Sequence, residues 1–395
     1  MACGGSGRPR WSELPEDMLD KIYRGCVSSP YDRARFAAVC ASWRAVASWH
    51  PALPALPLLL PWTGDAERDR KARAYSLQDG RVLRSPLRGL PCGKRLVGSH
   101  DGGWIAAATG THVVIVNLFS GAQVELSAKQ SIIGCKRPTK RLLAFNQRAN
   151  LVSVQKIIFS EDPSSSECIL AAITTRCKIA VYMQNWQSES WTGGPHEDAS
   201  LADIAFYNNE LYGLVSFGML YRFVLGRNSS GALVVTAINI VTFDIPINGH
   251  GHGMLHYAYY IVELRGKLAI AVQVSHYKAH IFRVFELANS ATRWPHKYKW
   301  SEVTSLGDHA LFVGLRCCKA VQVYGAGMHG IVEANPILDL GSCAIYDWES
   351  DDVCDSARIM SRGYHYREKD ENYNYGEKDG GNGHNTCTWV LPPQM

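Results

Sequence analysis

The sequence predicts a mainly β protein with a small all-α module at its N-terminus, followed by a β-propeller whose blade number the spacing leaves open. Three observations carry this reading. Helix signals are confined to the first fifty residues, where apolar side chains recur at helical spacing. From about residue 75 to 330 the texture changes to short β-branched segments separated by tight-turn residues, with almost no sustained helical periodicity. Roughly 250 to 300 residues of such units exceed one sandwich and match several four-stranded blades of about 40 to 50 residues each.

The helices come first. Pro15 suits a first helical turn, where a missing N–H costs nothing, and Glu16 and Asp17 fall where the macrodipole favours negative charge. Met18, Leu19 and Ile22 make an apolar stripe, and Gly25 is the expected stop. Ser29 as N-cap, Pro30 at the first position and Asp32 three residues after the cap announce a second helix. Phe36, Val39, Cys40, Trp43, Val46 and Ala47 share one broad face, with a bend expected at 40–42 that splits the run in two. So short a segment holds more apolar surface than it buries alone, and its face packs either on the downstream domain or on another polypeptide.

Leu14-Pro15 with Leu19 and Ile22, then Phe36, Val39-Cys40 and Trp43-Arg44 at this spacing, resembles an F-box over residues 11–50. The resemblance implies docking to a Skp-type adaptor and, through it, to a cullin–RING ubiquitin ligase. The positions it assigns to adaptor contact are Leu14, Pro15, Leu19, Ile22, Val39, Cys40 and Trp43, with Arg44 at the rim. Which of these touch a partner and which fill the module's own core is not legible in the sequence.

Residues 51–74 read as a stiff Pro-rich and basic linker, with Pro51, Pro54, Pro57 and Pro61. Strands follow over 75–348. Segments 75–77 and 81–83 flank Asp79-Gly80, 202–207 and 210–215 surround Asn208-Asn209, and 259–264 and 267–275 flank Arg265-Gly266, each a two-residue hairpin signal. Further strands are expected at 112–117, 151–159, 169–174, 178–183, 219–225, 280–287, 310–313 and 320–324. Segment 349–385 is acidic and rich in Tyr, Gly and Asn and reads as a flexible insertion, with 386–395 supplying a closing strand.

Trp300-Ser301-Glu302-Val303, then Ser305-Leu306-Gly307-Asp308-His309-Ala310-Leu311-Phe312-Val313-Gly314, resembles the late signature of the KIB-type domain, the propeller-like domain that follows the F-box in a large plant family. Gly98-Ser99, Gly103-Trp104, Asn117-Leu118-Phe119-Ser120-Gly121, segment 282–287 and Trp389-Val390-Leu391-Pro392 are similar to other parts of it. Leu118 departs from the pattern, which has proline there.

Chemistry is sparse. Gly325-Ala326-Gly327-Met328-His329-Gly330 has the spacing of a dinucleotide loop, but the next six residues reach Pro336 before a helix can develop, so a turn is expected. Gly89–Lys94 is only superficially a phosphate loop. His250, His252 and His256 stand close, without adjacent Cys or carboxylate, and no metal is expected. Asp370–Asn374 opens like a calcium loop but has Tyr375 where glycine is required. No nucleophile elbow occurs. No catalytic residue, cofactor or enzymatic activity is therefore expected. The net charge of +5 and the run Arg68, Arg70, Lys71, Arg73 suit a solvated surface, not a nucleic-acid partner. No membrane association is expected, and a cytoplasmic or nuclear location follows, with the 12 cysteines reduced.

Together these features predict a non-catalytic substrate receptor of an SCF-type ubiquitin ligase, whose propeller binds an unidentified target protein. The alternative, implied by the KIB-type resemblance, is an inhibitor or scaffold that blocks a kinase or other partner through the propeller surface.

Overall fold

The computed structural model describes residues 11–27, 30–50, 56–62, 66, 70, 73–77, 81–82, 87–89, 91–126, 130, 133, 153–175, 179–183, 191–193, 201–215, 218–242, 256–276, 279–289, 298–314, 316–323, 330–334, 343–347 and 386–390. The 349–385 insertion, Arg68 and Lys71, His250 and His252, Gly325–His329 and the Asp370–Asn374 run lie outside these residues.

After a 3-10 turn at Trp11–Glu13 come three helices, α1 (Glu16–Cys26), α2 (Pro30–Ala37) and α3 (Ala41–Trp49). Pro15 is the N-cap of α1, one position earlier than expected, and its carbonyl accepts from the N–H groups of Met18 and Leu19, both at 3.1 Å. Gly25 does not stop α1. The helix runs to Cys26 and ends where Val27 turns extended. The expected bend is real: Cys40 is extended at φ −164° and caps α3. Leu19, Tyr23, Phe36, Val46 and Ala47 form the module's core, with Leu14, Ile22, Val27, Ala37 and Trp43 packed against it.

The strands are, in chain order, β1 (Leu58–Trp62), β2 (Tyr75–Ser76), β3 (Arg81–Val82), β4 (Arg95–His100), β5 (Trp104–Thr109), β6 (His112–Asn117), β7 (Val154–Phe159), β8 (Ile169–Thr174), β9 (Ala180–Met183), β10 (Thr192–Gly193), β11 (Leu201–Tyr207), β12 (Glu210–Val215), β13 (Leu220–Arg227), β14 (Leu233–Thr242), β15 (His256–Leu264), β16 (Lys267–His276), β17 (Ala279–Asn289), β18 (Tyr298–Glu302), β19 (His309–Val313), β20 (Lys319–Gln322), β21 (Gly330–Ala334), β22 (Cys343–Asp347) and β23 (Thr386–Val390). Among the described residues they make six sheets, which are the blades of a propeller. Blade 1 has the order β23-β1-β2-β3, blade 2 is β4–β6, blade 3 β7–β10, blade 4 β11–β14, blade 5 β15–β18, and blade 6 has the order β20-β19-β21-β22.

Alternation along each strand explains the ring. Successive side chains point to opposite faces, so each blade feeds two apolar layers. In β1, Leu59 enters the layer against blade 6, whereas Leu58 and Leu60 enter the layer against blade 2. In β5, Ile105 and Ala107 face blade 1, and Trp104, Ala106 and Ala108 face blade 3. Further layers join blades 3 and 4, 4 and 5, and 5 and 6. The buried indoles reinforce these layers, because a buried N–H must find an acceptor. Trp104 Nε1 donates to Asp162 of blade 3 (3.3 Å), Trp300 Nε1 of blade 5 to Gly218 O of blade 4 (3.1 Å), and Trp389 Nε1 of blade 1 to Val313 O of blade 6 (2.9 Å).

Two hairpins carry the turn chemistry their sequences announce. Asn208 and Asn209 (φ 49° and 61°) join β11 to β12, and Arg265 and Gly266 (φ 52° and 71°) join β15 to β16, as a two-residue type I′ loop requires. Leu118 is also accounted for. Its N–H donates to Gly103 O (2.9 Å), a bond proline could not make, and its side chain is buried between blades 1 and 2. The turn is held instead by Asn117, whose Oδ1 accepts from the N–H groups of Phe119 and Ser120 at 3.0 Å.

Three features differ from the sequence reading. Leu58–Trp62, inside the expected linker, is a strand paired along its length with β23, so the closing blade joins both ends of the propeller. Blade 6 is not a simple meander, because β21 pairs parallel to β19 while β20 lies at the inner edge. Gly330–Ala334, where no strand was expected, is that parallel strand; as expected, no helix opens at the last glycine of the 325–330 run.

Blades 2 and 3 meet at an unusually close backbone approach. A Cβ on Gly98 would sit 2.1 Å from the carbonyl oxygen of Ile157, inside any real contact. We expect Gly98→Ala to force β4 and β7 apart and to cost about 1–3 kcal/mol, read as a lowered urea midpoint. An unchanged midpoint would show that the two strands separate freely.

Candidate docking surface and axial pocket

Two regions of the molecule offer more than packing. The first is the helical module. The structure sorts the eight residues singled out there into interior and surface. Leu19 is fully buried, directed into the module's own core by its position one turn before Tyr23. Leu14, Ile22 and Trp43 are half-buried on the margin of that core, and Cys40 is half-buried at the α2–α3 corner. Trp43 leans on Phe36 (4.4 Å between ring centres) and donates its indole N–H to Trp11 O (3.0 Å). Pro15, Val39 and Arg44 are exposed, with the Arg44 guanidinium tied to Ala37 O (3.2 Å).

The exposed apolar groups are the informative ones. Trp11, Met18, Val39 and Trp49 are 62, 44, 51 and 55% exposed, and among the described residues the only other large apolar side chain this open is Ile240. Single exposed apolar residues are ordinary, but four on a module of some forty residues are not. The module does not need them, since its core is complete without them. His50 adds rigidity by stacking on Tyr23 (4.1 Å) and sharing a hydrogen bond with Asp20 (2.8 Å). Arg24 and then His50 hold the Asp20 carboxyl below the usual carboxylate range. Trp11, Met18 and Trp49 were not among the residues singled out. The sequence puts Met18 in one apolar stripe with Leu19 and Ile22, but it lies about 100° round α1 from Leu19 and is left open.

The second region lies on the propeller axis and was not anticipated. Inner strands β4, β7, β11, β15 and β20 converge on a cavity of about 460 Å³. Polar groups lace the blades together around it. Lys156 of β7 forms an ion pair with Asp203 of β11, both side chains almost wholly buried. Asp203 also accepts from its neighbour Ile204 N (2.8 Å) and from Ile261 N of blade 5 (2.9 Å), so one carboxylate joins three blades. Burial opposes the Lys156 charge, but the Asp203 carboxylate outweighs it and holds the ammonium above the ordinary lysine range. Lys319 of blade 6 pairs with Asp101 of blade 2 (2.8 Å). Arg316, also of blade 6, reaches the far side of the ring and donates to Gln155 O of blade 3.

The cavity wall also holds Cys317 and Cys318. Burial raises both thiols, Cys318 to about 12, so they remain protonated at neutral pH. Their side chains serve different layers, Cys317 packing with Trp389 and Phe312 and Cys318 against the layer between blades 5 and 6. Among the described residues no His, Cys, Asp and Glu group is arranged to hold a metal ion. No helix among them is long and apolar enough to cross a membrane.

Comparison with known proteins bears on the propeller alone. No curated protein matches the chain. Similar solved structures include the Cps50 (Swd1) β-propeller domain of Myceliophteria thermophila (12% identity, TM-score 0.31, covering 71% of this chain and 75% of that one). The N-terminal domain of Nup159 is another (8%, TM-score 0.30, 64% and 69%), as is human WBSCR16 (10%, TM-score 0.30, 74% and 71%). Likenesses this loose carry no inference. The family comparison does, because the KIB1-4 beta-propeller family matches residues 74–338, which begin beside β2 and take in the inner strands that line the cavity, from β4 through β20. The chain therefore belongs to the KIB1-4 beta-propeller family.

Proposed function

We propose that this protein is the substrate-recognition subunit of an SCF-type ubiquitin ligase, with α1–α3 docking a Skp-type adaptor and the propeller holding a target protein. The observation that carries the reading is the set of exposed apolar side chains on a module whose core is already complete. Burying them against a partner is favourable, on the order of 25 cal/mol per Å² of apolar surface removed from water. The mechanism is proximity. The ring presents a rigid platform to the target, and tethering raises the effective concentration of its lysines near the ubiquitin-carrying enzyme. The chain itself supplies no reacting group.

Leu14 and Pro15 border the core without filling it, so replacing both with alanine leaves the module folded. We expect the double variant to lose co-purification with adaptor and cullin by at least about tenfold, and the target to accumulate in cells. Met18→Glu with Val39→Glu, at exposed positions outside the module's core, has the same effect. Retained adaptor binding in both variants, with helical circular dichroism intact, would refute the ligase reading. A target still suppressed by variants that no longer bind adaptor would identify an inhibitor instead.

A further inference from the structure

Among the described residues, the axial pocket holds one cation that no carboxylate pairs with, although the exposed Glu263 also lines it. Four cationic side chains line it, namely Lys156, Arg265, Arg316 and Lys319. Three are answered by carboxylates: Lys156 by Asp203, Lys319 by Asp101, and Arg265 by Glu286 at 2.5 Å. Arg316 is not. Among the described residues its guanidinium donates to one backbone carbonyl, and its Nε is buried with no partner. A second guanidinium, Arg95, acts on its charge from outside the pocket lining and among the described residues bonds only to Ser153 Oγ (2.7 Å) and Val154 O. Burial first, and then Arg95, pull the Arg316 pKa down to about 10, so it is still charged at neutral pH.

A half-buried guanidinium without a carboxylate is costly unless an anion joins it. A guanidinium presents five donors in a planar fork that matches a phosphate or carboxylate edge. Arg95, outside the lining, adds a second uncompensated charge to the field at Arg316, and this combined potential favours a phosphate dianion over a single carboxylate. The volume of about 460 Å³ lies within the range of small-ligand sites. We propose that the axial pocket binds a phosphate group, a small phosphate ester or diphosphate or the phosphorylated side chain of a bound protein, with Arg316 as its anchor and Lys319 at the rim. This site is independent of what the helical module docks.

Isothermal titration of the full chain at constant ionic strength tests it, with inorganic pyrophosphate, a phosphoserine heptapeptide and the same peptide unphosphorylated as probes. At least one phosphorylated probe binds and the unphosphorylated peptide does not. Tighter pyrophosphate binding identifies a free small ligand, and tighter phosphopeptide binding identifies a modified partner. Arg316→Lys keeps the charge but loses the fork and weakens binding about tenfold, and Arg316→Gln weakens it further. Lys319→Gln, at a side chain 42% exposed, leaves the fold intact and weakens binding about threefold. Absence of binding at millimolar concentration by both phosphorylated probes overturns the proposal. So does an affinity unchanged in folded Arg316→Gln or, should that variant not fold, in Lys319→Gln.

Discussion

Trp389→Ala will cost this protein about 3–5 kcal/mol, a large part of the roughly 5–15 kcal/mol by which a domain is stable at all. The side chain is fully buried, stacks edge-on against Phe312 (5.2 Å) and donates its N–H to Val313 O. Its removal leaves a cavity between blades 1 and 6 and strips a buried carbonyl of its donor. Deleting residues 386–395 goes further. It takes away the inner strand of blade 1, exposes the length of β1, and opens the layers on both sides, because Trp389 serves one and Val390 the other. The truncated chain is expected to be aggregation-prone and without a cooperative urea transition. A Trp389→Ala midpoint within experimental error of the parent would mean that the ring is not closed by this strand.

The second large effect is at Asp203. Asp203→Asn leaves Lys156 as a buried cation without a counter-charge, at a cost of about 3–5 kcal/mol. The double variant Lys156→Met with Asp203→Leu removes both charges, and most of the loss should return, less the part due to the unpaired Ile261 N–H. The pH dependence has a definite sign. Lys156 has a raised pKa in the folded state, so its stabilising contribution is full below the ordinary lysine value of 10.5 and disappears as pH rises through the folded value. In Asp203→Asn the unpaired amine is easier to deprotonate than in the unfolded chain, so that variant gains stability earlier in the rise, up to the ordinary lysine value of 10.5. The gap between parent and variant therefore narrows in alkaline solution. A gap that is constant from pH 7 to pH 11 would exclude the ion pair as its cause.

The local parts of this fold were legible and the distant ones were not. Asn208-Asn209 and Arg265-Gly266 announced their hairpins because a two-residue loop fixes its own geometry. β1 was hidden by Pro61, which reads as a connector. Proline is tolerated there because β2 pairs only with Leu58 and Leu59, leaving no ladder donor to supply on that flank. The parallel pairing of β21 with β19 depends on contacts no local window contains. In the helical module, spacing gathered Leu14, Leu19, Ile22 and Trp43, which share one core, but did not separate the buried Leu19 from the exposed Val39. That division depends on how three short helices cross. On the axis, Lys156 stands in a mostly apolar strand, a signal that could have been read, but the face it takes could not, because the register shifts between Val154 and Lys156. Arg316 gave no such signal, because it lies in a connection whose position is set by the whole ring.

The pairing of β1 with β23 has a consequence for how the molecule is made. Leu58 leaves the ribosome long before its partner Val390, which belongs to the far end of the described chain. Through most of translation β1 is an uncapped edge with unsatisfied N–H and C=O groups, the kind of surface on which nascent chains associate. The helical module, whose contacts are all local, can fold long before that. A ribosome stalled late in the message would thus release a chain with finished helices and an unfinished ring. On the ligase reading, such a chain could enter the assembly with no means of choosing a target, which makes chaperone protection of the open blade a requirement of its biogenesis.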